Sequence, residues 1–139
     1  MSHAPFTPEW TAALCAAIES DAEYRAVAAK WTWPVALVLE PAPEIGYPES
    51  VAVELALDRG HCLGAELRTP DAVTAPFVLT ADYPTWKAVV HGDLDLIGAV
   101  MHRRIKVEGS LVTLMLHTKA AIALVACARR VPTHFPDEA

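Results

Sequence analysis

Between Val51 and Leu57 the chain alternates strictly, with Val51, Val53, Leu55 and Leu57 on one face and Ala52, Glu54 and Ala56 on the other. A period of two marks a strand with one buried face, because successive side chains point to opposite sides of a pleated sheet. Asp58-Arg59-Gly60-His61 follows, with glycine where a tight turn needs backbone freedom, and Cys62 to Leu67 continues with Leu63, Ala65 and Leu67 on one side. The spacing predicts an antiparallel hairpin. A fold for this chain has to contain that hairpin and give it an apolar cover.

The cover is expected from helices. Thr7-Pro8-Glu9 is a helix start, since the threonine hydroxyl can accept a free amide, proline costs nothing in the first turn and glutamate suits the positive end. Trp10, Leu14, Ala17 and Ile18 form its apolar face. Ser20 and Glu23 have capping-box spacing and predict a second short helix presenting Tyr24, Val27 and Ala28. Val35 to Leu39 reads as a strand stopped by Pro41, Pro43, Gly46 and Pro48, and Phe77 to Thr80 as another.

Asp82 and Pro84 open a helix carrying Trp86, Val89 and Val90 that Gly92 closes, and Asp93 is placed to cap a further one with Leu94, Ile97 and Met101. Ile105 to Val107 is a short strand. Gly109-Ser110 then starts the longest expected helix, reaching about Arg129, with Leu111, Leu114, Met115, Ile122 and Val125 along one stripe and Pro132 beyond it. The tail over 131–139 is expected to be irregular. Helices, strands, helices, one strand and a final helix give an α+β fold in a single domain, its sheet covered mainly on one face. At 139 residues there is no room for a second, catalytic domain.

Composition narrows function mostly by exclusion. Net charge is -6, so there is no basic field to neutralise phosphates, and the cluster His102-Arg103-Arg104 with Lys106 is too short to reverse that. Neither nucleic acid nor an anionic membrane surface is expected as the main partner. The longest apolar run, Ala120 to Ala128, falls far below the ~20 residues of an integral membrane span, and no basic-then-apolar signal opens the sequence. A soluble, cytoplasmic protein is the expectation. The hydrophobic fraction of 53% is less telling than it looks, since 25 alanines supply about a third of it. Cys15, Cys62 and Cys127 are odd in number, distant and without CxxC spacing, which argues for reduced thiols over a disulfide framework or a zinc site.

Catalytic patterns are missing. The six histidines form no i, i+4 pair with a neighbouring carboxylate, and none of the four serines lies in a G-x-S-x-G turn. Asp93 and Asp95 do not share a helix face and are explained by helix-start electrostatics. The six glycines are too dispersed to cradle a phosphate, so no cofactor is implied. His61 and Cys62 are adjacent on a strand and point to opposite faces, so the thiol reads as structural. The apolar set Trp86, Val90, Leu94, Ile97, Met101, Leu114 and Met115 admits two readings, an ordinary core or, given its flexible methionines, an adaptable pocket.

From Gly92 to Leu111 the sequence GDLDLIGAVMHRRIKVEGSL resembles the most characteristic stretch of the sterol carrier protein type 2 domain, a helix, a short strand and a glycine before the last helix. The likeness extends upstream through Phe77-Val78-Leu79-Thr80, Tyr83 and Trp86-Lys87, and through Gly46 to Val51, covering nearly the whole chain. Arg103 stands where the family usually has a turn glycine, and a side chain there calls for a different local backbone. Ser110 replaces a frequent acidic residue and can still cap.

The resemblance implies a mixed, mainly antiparallel five-stranded sheet with helices over one face, enclosing a hydrophobic tunnel for fatty acids, acyl-CoA or sterols. The lining it implies is Phe77, Leu79, Trp86, Val90, Leu94, Ile97, Met101, Ile105, Leu111, Leu114 and Met115, with Trp86 and Met101 near the ligand. The function expected is non-enzymatic binding of a lipid-like small molecule, as a carrier. Two alternatives stay open: an accessory or oligomerisation domain, as in a homodimer, and an enzyme on acyl or steroid substrates with His91 or His102 as base.

Overall fold

The computed structural model describes residues 2–138. Among these residues six α-helices, α1 (Pro8–Glu19), α2 (Ala22–Val27), α3 (Tyr83–His91), α4 (Leu96–Met101), α5 (Leu111–Leu116) and α6 (Thr118–Arg130), accompany five strands, β1 (Val35–Leu39), β2 (Val51–Asp58), β3 (His61–Arg68), β4 (Phe77–Ala81) and β5 (Lys106–Glu108). The strands form one sheet in the order β3-β2-β1-β4-β5. Only β1 and β4 run parallel, and the other pairs are antiparallel. The expected mixed, mainly antiparallel sheet in an α+β fold is therefore present.

The hairpin of β2 and β3 turns on Arg59 and Gly60, both at positive φ (51° and 87°), the two-residue turn whose twist matches that of the strands. Gly60 is required twice over, since a Cβ there would lie 2.7 Å from the Arg25 backbone of α2. The register departs from the simple alternation. Leu55 pairs with Ala65 but Leu57 with Cys62, so a bulge puts an extra residue into β3. Cys62, not Leu63, thus joins Ala65 and Leu67 on the inner face, and Leu63 is 71% exposed.

Helix caps follow local chemistry, with two shifts from expectation. Thr7 accepts from the Trp10 amide and Asp82 from that of Thr85. For α2 the cap is Asp21, accepting from the amides of Glu23 and Tyr24, because Ser20 still belongs to the end of α1, its N–H donating to the Ala16 carbonyl. For α4 the cap is Asp95, accepting from Gly98, because the Asp93 amide is taken up by Ala88 in the turn that closes α3.

Two further expectations change. The long final helix is broken at His117 (φ −116°, ψ 35°) into α5 and α6, with neither glycine nor proline at the break. The His117 ring instead wedges edge-on against Trp31 and Trp33, with ring centroids 5.3 and 5.8 Å away. Arg103 keeps the left-handed turn at φ 62°, closing α4 with its amide on Val100, at a cost of about 1–2 kcal/mol relative to glycine. The backbone there does not change to suit the side chain. Residues 131–138 form no helix or strand, yet they are fastened: His3 bridges to Thr133, Phe135 is buried, and Asp137 accepts from the Tyr83 hydroxyl at 2.7 Å.

Candidate functional site

An apolar cavity lies between the inner face of the sheet and the helices. Val35 and Leu37 of β1, Leu57 of β2, and Phe77 and Leu79 of β4 form its floor, positioned by the period of two that turns alternate side chains inward. Trp10 and Leu14 of α1, Tyr24 of α2, Trp86, Val89 and Val90 of α3, and the alanine-rich face of α6 (Ala120, Ala121, Leu124, Val125, Ala128) form walls and roof. Phe6, Trp31, Leu96, Leu114 and His117 complete the lining. The alanines matter by being small: they leave space between α6 and the sheet that larger side chains would fill.

The three indole N–H groups of the lining are turned to other tasks. The indole N–H of Trp10 donates to Thr133 Oγ1 at 3.0 Å, that of Trp31 to the Trp33 carbonyl at 2.7 Å, and that of Trp86 to the Val38 carbonyl at 2.9 Å. Each ring therefore offers its apolar body to the cavity with its one donor already satisfied. Burial pushes the Tyr24 phenol well above its usual range, so it stays neutral. The open volume is about 70 Å³, against the ~300–1,000 Å³ of typical ligand pockets. A ligand of lipid size has to move the walls apart.

Of the residues expected at the site, Phe77, Leu79, Trp86, Val90 and Leu114 come together in this lining. Ile105 is buried in the core without reaching it, and Leu94, Ile97 and Met115 are partly buried against the core. Met101 and Leu111 are 62% and 47% exposed. The reason lies in helix phase: α4 turns Leu96, Ala99 and Val100 inward, and the position after Val100 faces water. Sequence reasoning missed the contributions of α1, α2 and the α6 alanines. The available signal was small residues at i, i+1 and i+8, Ala120, Ala121 and Ala128, along one side of a helix.

The histidines considered as bases stand elsewhere. His91 stacks on Phe135 and its Nε2 lies 2.9 Å from Glu138 on the tail, while His102 is exposed at the end of α4. Among the described residues no group of three His, Cys, Asp or Glu side chains could hold a metal ion. A polar cluster does occur behind the roof: Asp21 accepts from Arg130 and from the Cys127 thiol (3.0 Å), and the Arg130 guanidinium is the main cause holding its carboxyl well below the ordinary 3.8.

A mixed five-stranded sheet with helices closed over an apolar cavity defines a class of α+β domains built around an internal apolar space. Residues 12–121 match the SCP-2 sterol transfer family, and the chain belongs to that family. It is 35% identical to a crystal structure of sterol carrier protein 2, with a TM-score of 0.87 over 91% of this chain and 98% of that one. It is 33% identical to a conserved hypothetical protein of Thermus thermophilus, possibly a sterol carrier protein, with a TM-score of 0.86 over 96% and 97% of the two chains. Sterol carrier protein 2 from Yarrowia lipolytica in its apo form, at 14% identity and a TM-score of 0.59 over 86% and 89%, shares the fold. No curated protein sequence matches. Family and fold together support lipid binding or transfer in general. Among the described residues no helix is long and apolar enough to cross a membrane.

Proposed function

We propose that this chain, as a single cytoplasmic domain, holds one apolar lipid-like molecule, a fatty acid, acyl-CoA or sterol, between its sheet and helices and does not transform it. The observation that carries this reading is the cavity whose three lining tryptophans all have their donors satisfied elsewhere. Those indoles meet an apolar ligand with their ring bodies alone. Each methylene taken from water contributes about 0.8 kcal/mol, so ten to fifteen of them contribute about 8–12 kcal/mol, enough to offset an association cost in the lower half of the ~4–15 kcal/mol range.

Entry is proposed at His117. An open groove of about 500 Å³ between residues 26–30 and 115–120 shares His117 and Ala120 with the inner cavity, so the two adjoin at these residues. It falls where the helix is already broken.

Titration with a fluorescent fatty-acyl probe tests the reading against Ala121→Trp, which puts an indole into the cavity from α6. The wild-type chain is expected to bind one probe and the variant, still folded by circular dichroism, to lose at least tenfold in affinity, about 1.4 kcal/mol or more. Equal affinity in a folded Ala121→Trp would move the ligand out of this cavity.

A further inference from the structure

Cys15 of α1 and Cys62 of β3 are remote in sequence, yet their Sγ atoms lie 2.8 Å apart. Two local features bring them together. Trp10, Thr11, Leu14 and Ile18 are the buried residues of α1, which places Cys15, the neighbour of Leu14, at the flank of that face. The bulge in β3 turns Cys62 inward opposite Leu57. The same junction is fastened a turn further on, where Glu19 accepts from the Cys62 amide and lies 3.0 Å from His61 Nδ1.

The two thiols differ in access. Cys62 is 4% exposed, and burial pushes its thiol well above the usual range, whereas Cys15 is half-buried and within reach of a small reagent. Bonded sulfurs sit about 2.05 Å apart, so closing this pair needs a shift of less than about 1 Å, within the reach of side-chain rotation.

We propose that Cys15 and Cys62 form a modification site, a reversible intramolecular disulfide made by exchange with a low-molecular-weight disulfide, which fastens α1 to the edge strand β3. Cys15, having released its proton, attacks one sulfur of the small disulfide; that S–S bond breaks and one small thiolate leaves. Cys62 then loses its proton as it attacks the Cys15 sulfur, and the second small thiolate leaves. The protein gives up two electrons and two protons, and the small disulfide becomes two thiols. Cys127 takes no part, being buried with its thiol donating to Asp21.

The bond has a consequence that rests on the proposed binding function. Because α1 supplies Trp10 and Leu14 to the cavity, the bond stiffens one of its walls and leaves α5 to give way alone. The oxidised protein exchanges its ligand more slowly.

The test treats the intact chain with excess oxidised glutathione, alkylates it after denaturation, and measures intact mass and a peptide map. The expected product has lost two hydrogens, carries no glutathione, alkylates only at Cys127, and yields a Cys15–Cys62 linked peptide that reduction removes. Cys62→Ser is expected to stop at a glutathione adduct on Cys15. A wild-type chain that stops at such an adduct, links only between molecules, or stays reduced overturns the proposal. Release of a fatty-acyl probe should slow about threefold or more on oxidation in the wild type and not in Cys62→Ser. An unchanged rate overturns the tether. A chain that binds no probe in either state refutes the binding function, while the mass measurement still decides the disulfide.

Discussion

Both α1 and α5 contribute to the cavity, but they are held there very differently. α1 buries Trp10, Thr11, Leu14 and Ile18, is capped by Thr7, touches Cys62 through Cys15, and reaches β3 again through Glu19. Its successor α2 is capped by Asp21, whose carboxylate also holds Arg130 and Cys127 of α6. α5 has six residues, buries only Leu114, and leaves Leu111, Val112 and Leu116 exposed at 47%, 71% and 78%. A helix this short gains little from its own hydrogen bonds and depends on buried apolar surface. With one anchor, α5 is the wall that costs least to move, and it ends at His117, beside the groove.

The difference can be broken from its firm side first. Asp21→Ala removes a helix cap worth about 1 kcal/mol and charge-assisted bonds worth about 1.5–3 kcal/mol, so urea unfolding is expected to show a loss of about 3 kcal/mol with probe affinity little changed. The same carboxylate sets an acid limit. Its pKa is lowered in the folded chain, so its contribution is complete above the ordinary value of 3.8 and is lost as pH falls below it. Asp21→Asn should be less stable than wild type at neutral pH, with the gap closing as pH drops below that value.

The loose side gives smaller effects on stability and larger ones on exchange. Leu114→Ala is expected to cost about 2 kcal/mol and to speed probe release, since it removes the one buried side chain of α5. Leu116→Ser, two residues along the same helix, is expected to stay within about 0.5 kcal/mol of wild type. If Leu116→Ser destabilised the chain as much as Leu114→Ala, α5 would be better buried than its exposure indicates, and the contrast with α1 would fail.

The two regions also differ in how far they were legible in the amino-acid sequence. The first helix and the hairpin follow from rules of short range: a cap at Thr7, an apolar stripe, a period of two, a glycine at a turn. The same rules place Asp82 and Gly92 at the ends of α3. They fail where tertiary packing decides. Nothing local marks the bulge that turns Cys62 inward, where it meets Cys15 and Glu19 of the facing α1. The break at His117 is written in no glycine or proline, because its cause is a ring seated against Trp31 and Trp33 from another part of the chain.

For the site, Phe77, Leu79, Trp86, Val90 and Leu114 were legible as apolar positions on predicted elements. Met101 and Leu111 were placed by the same stripes and came out exposed, since a one-residue error in helix phase swings a side chain by about 100°. The α6 alanines were overlooked for a physical reason: their contribution is the space they leave, which no apolar pattern displays.

The central claim is that the space under α6 belongs to a ligand. Native mass spectrometry of gently purified protein measures this most directly. The expected spectrum contains the chain with one bound lipid, lost on mild collisional activation and restored by adding a fatty-acyl or sterol probe. A chain that is always empty, and refuses both kinds of probe while remaining folded, would contradict the account.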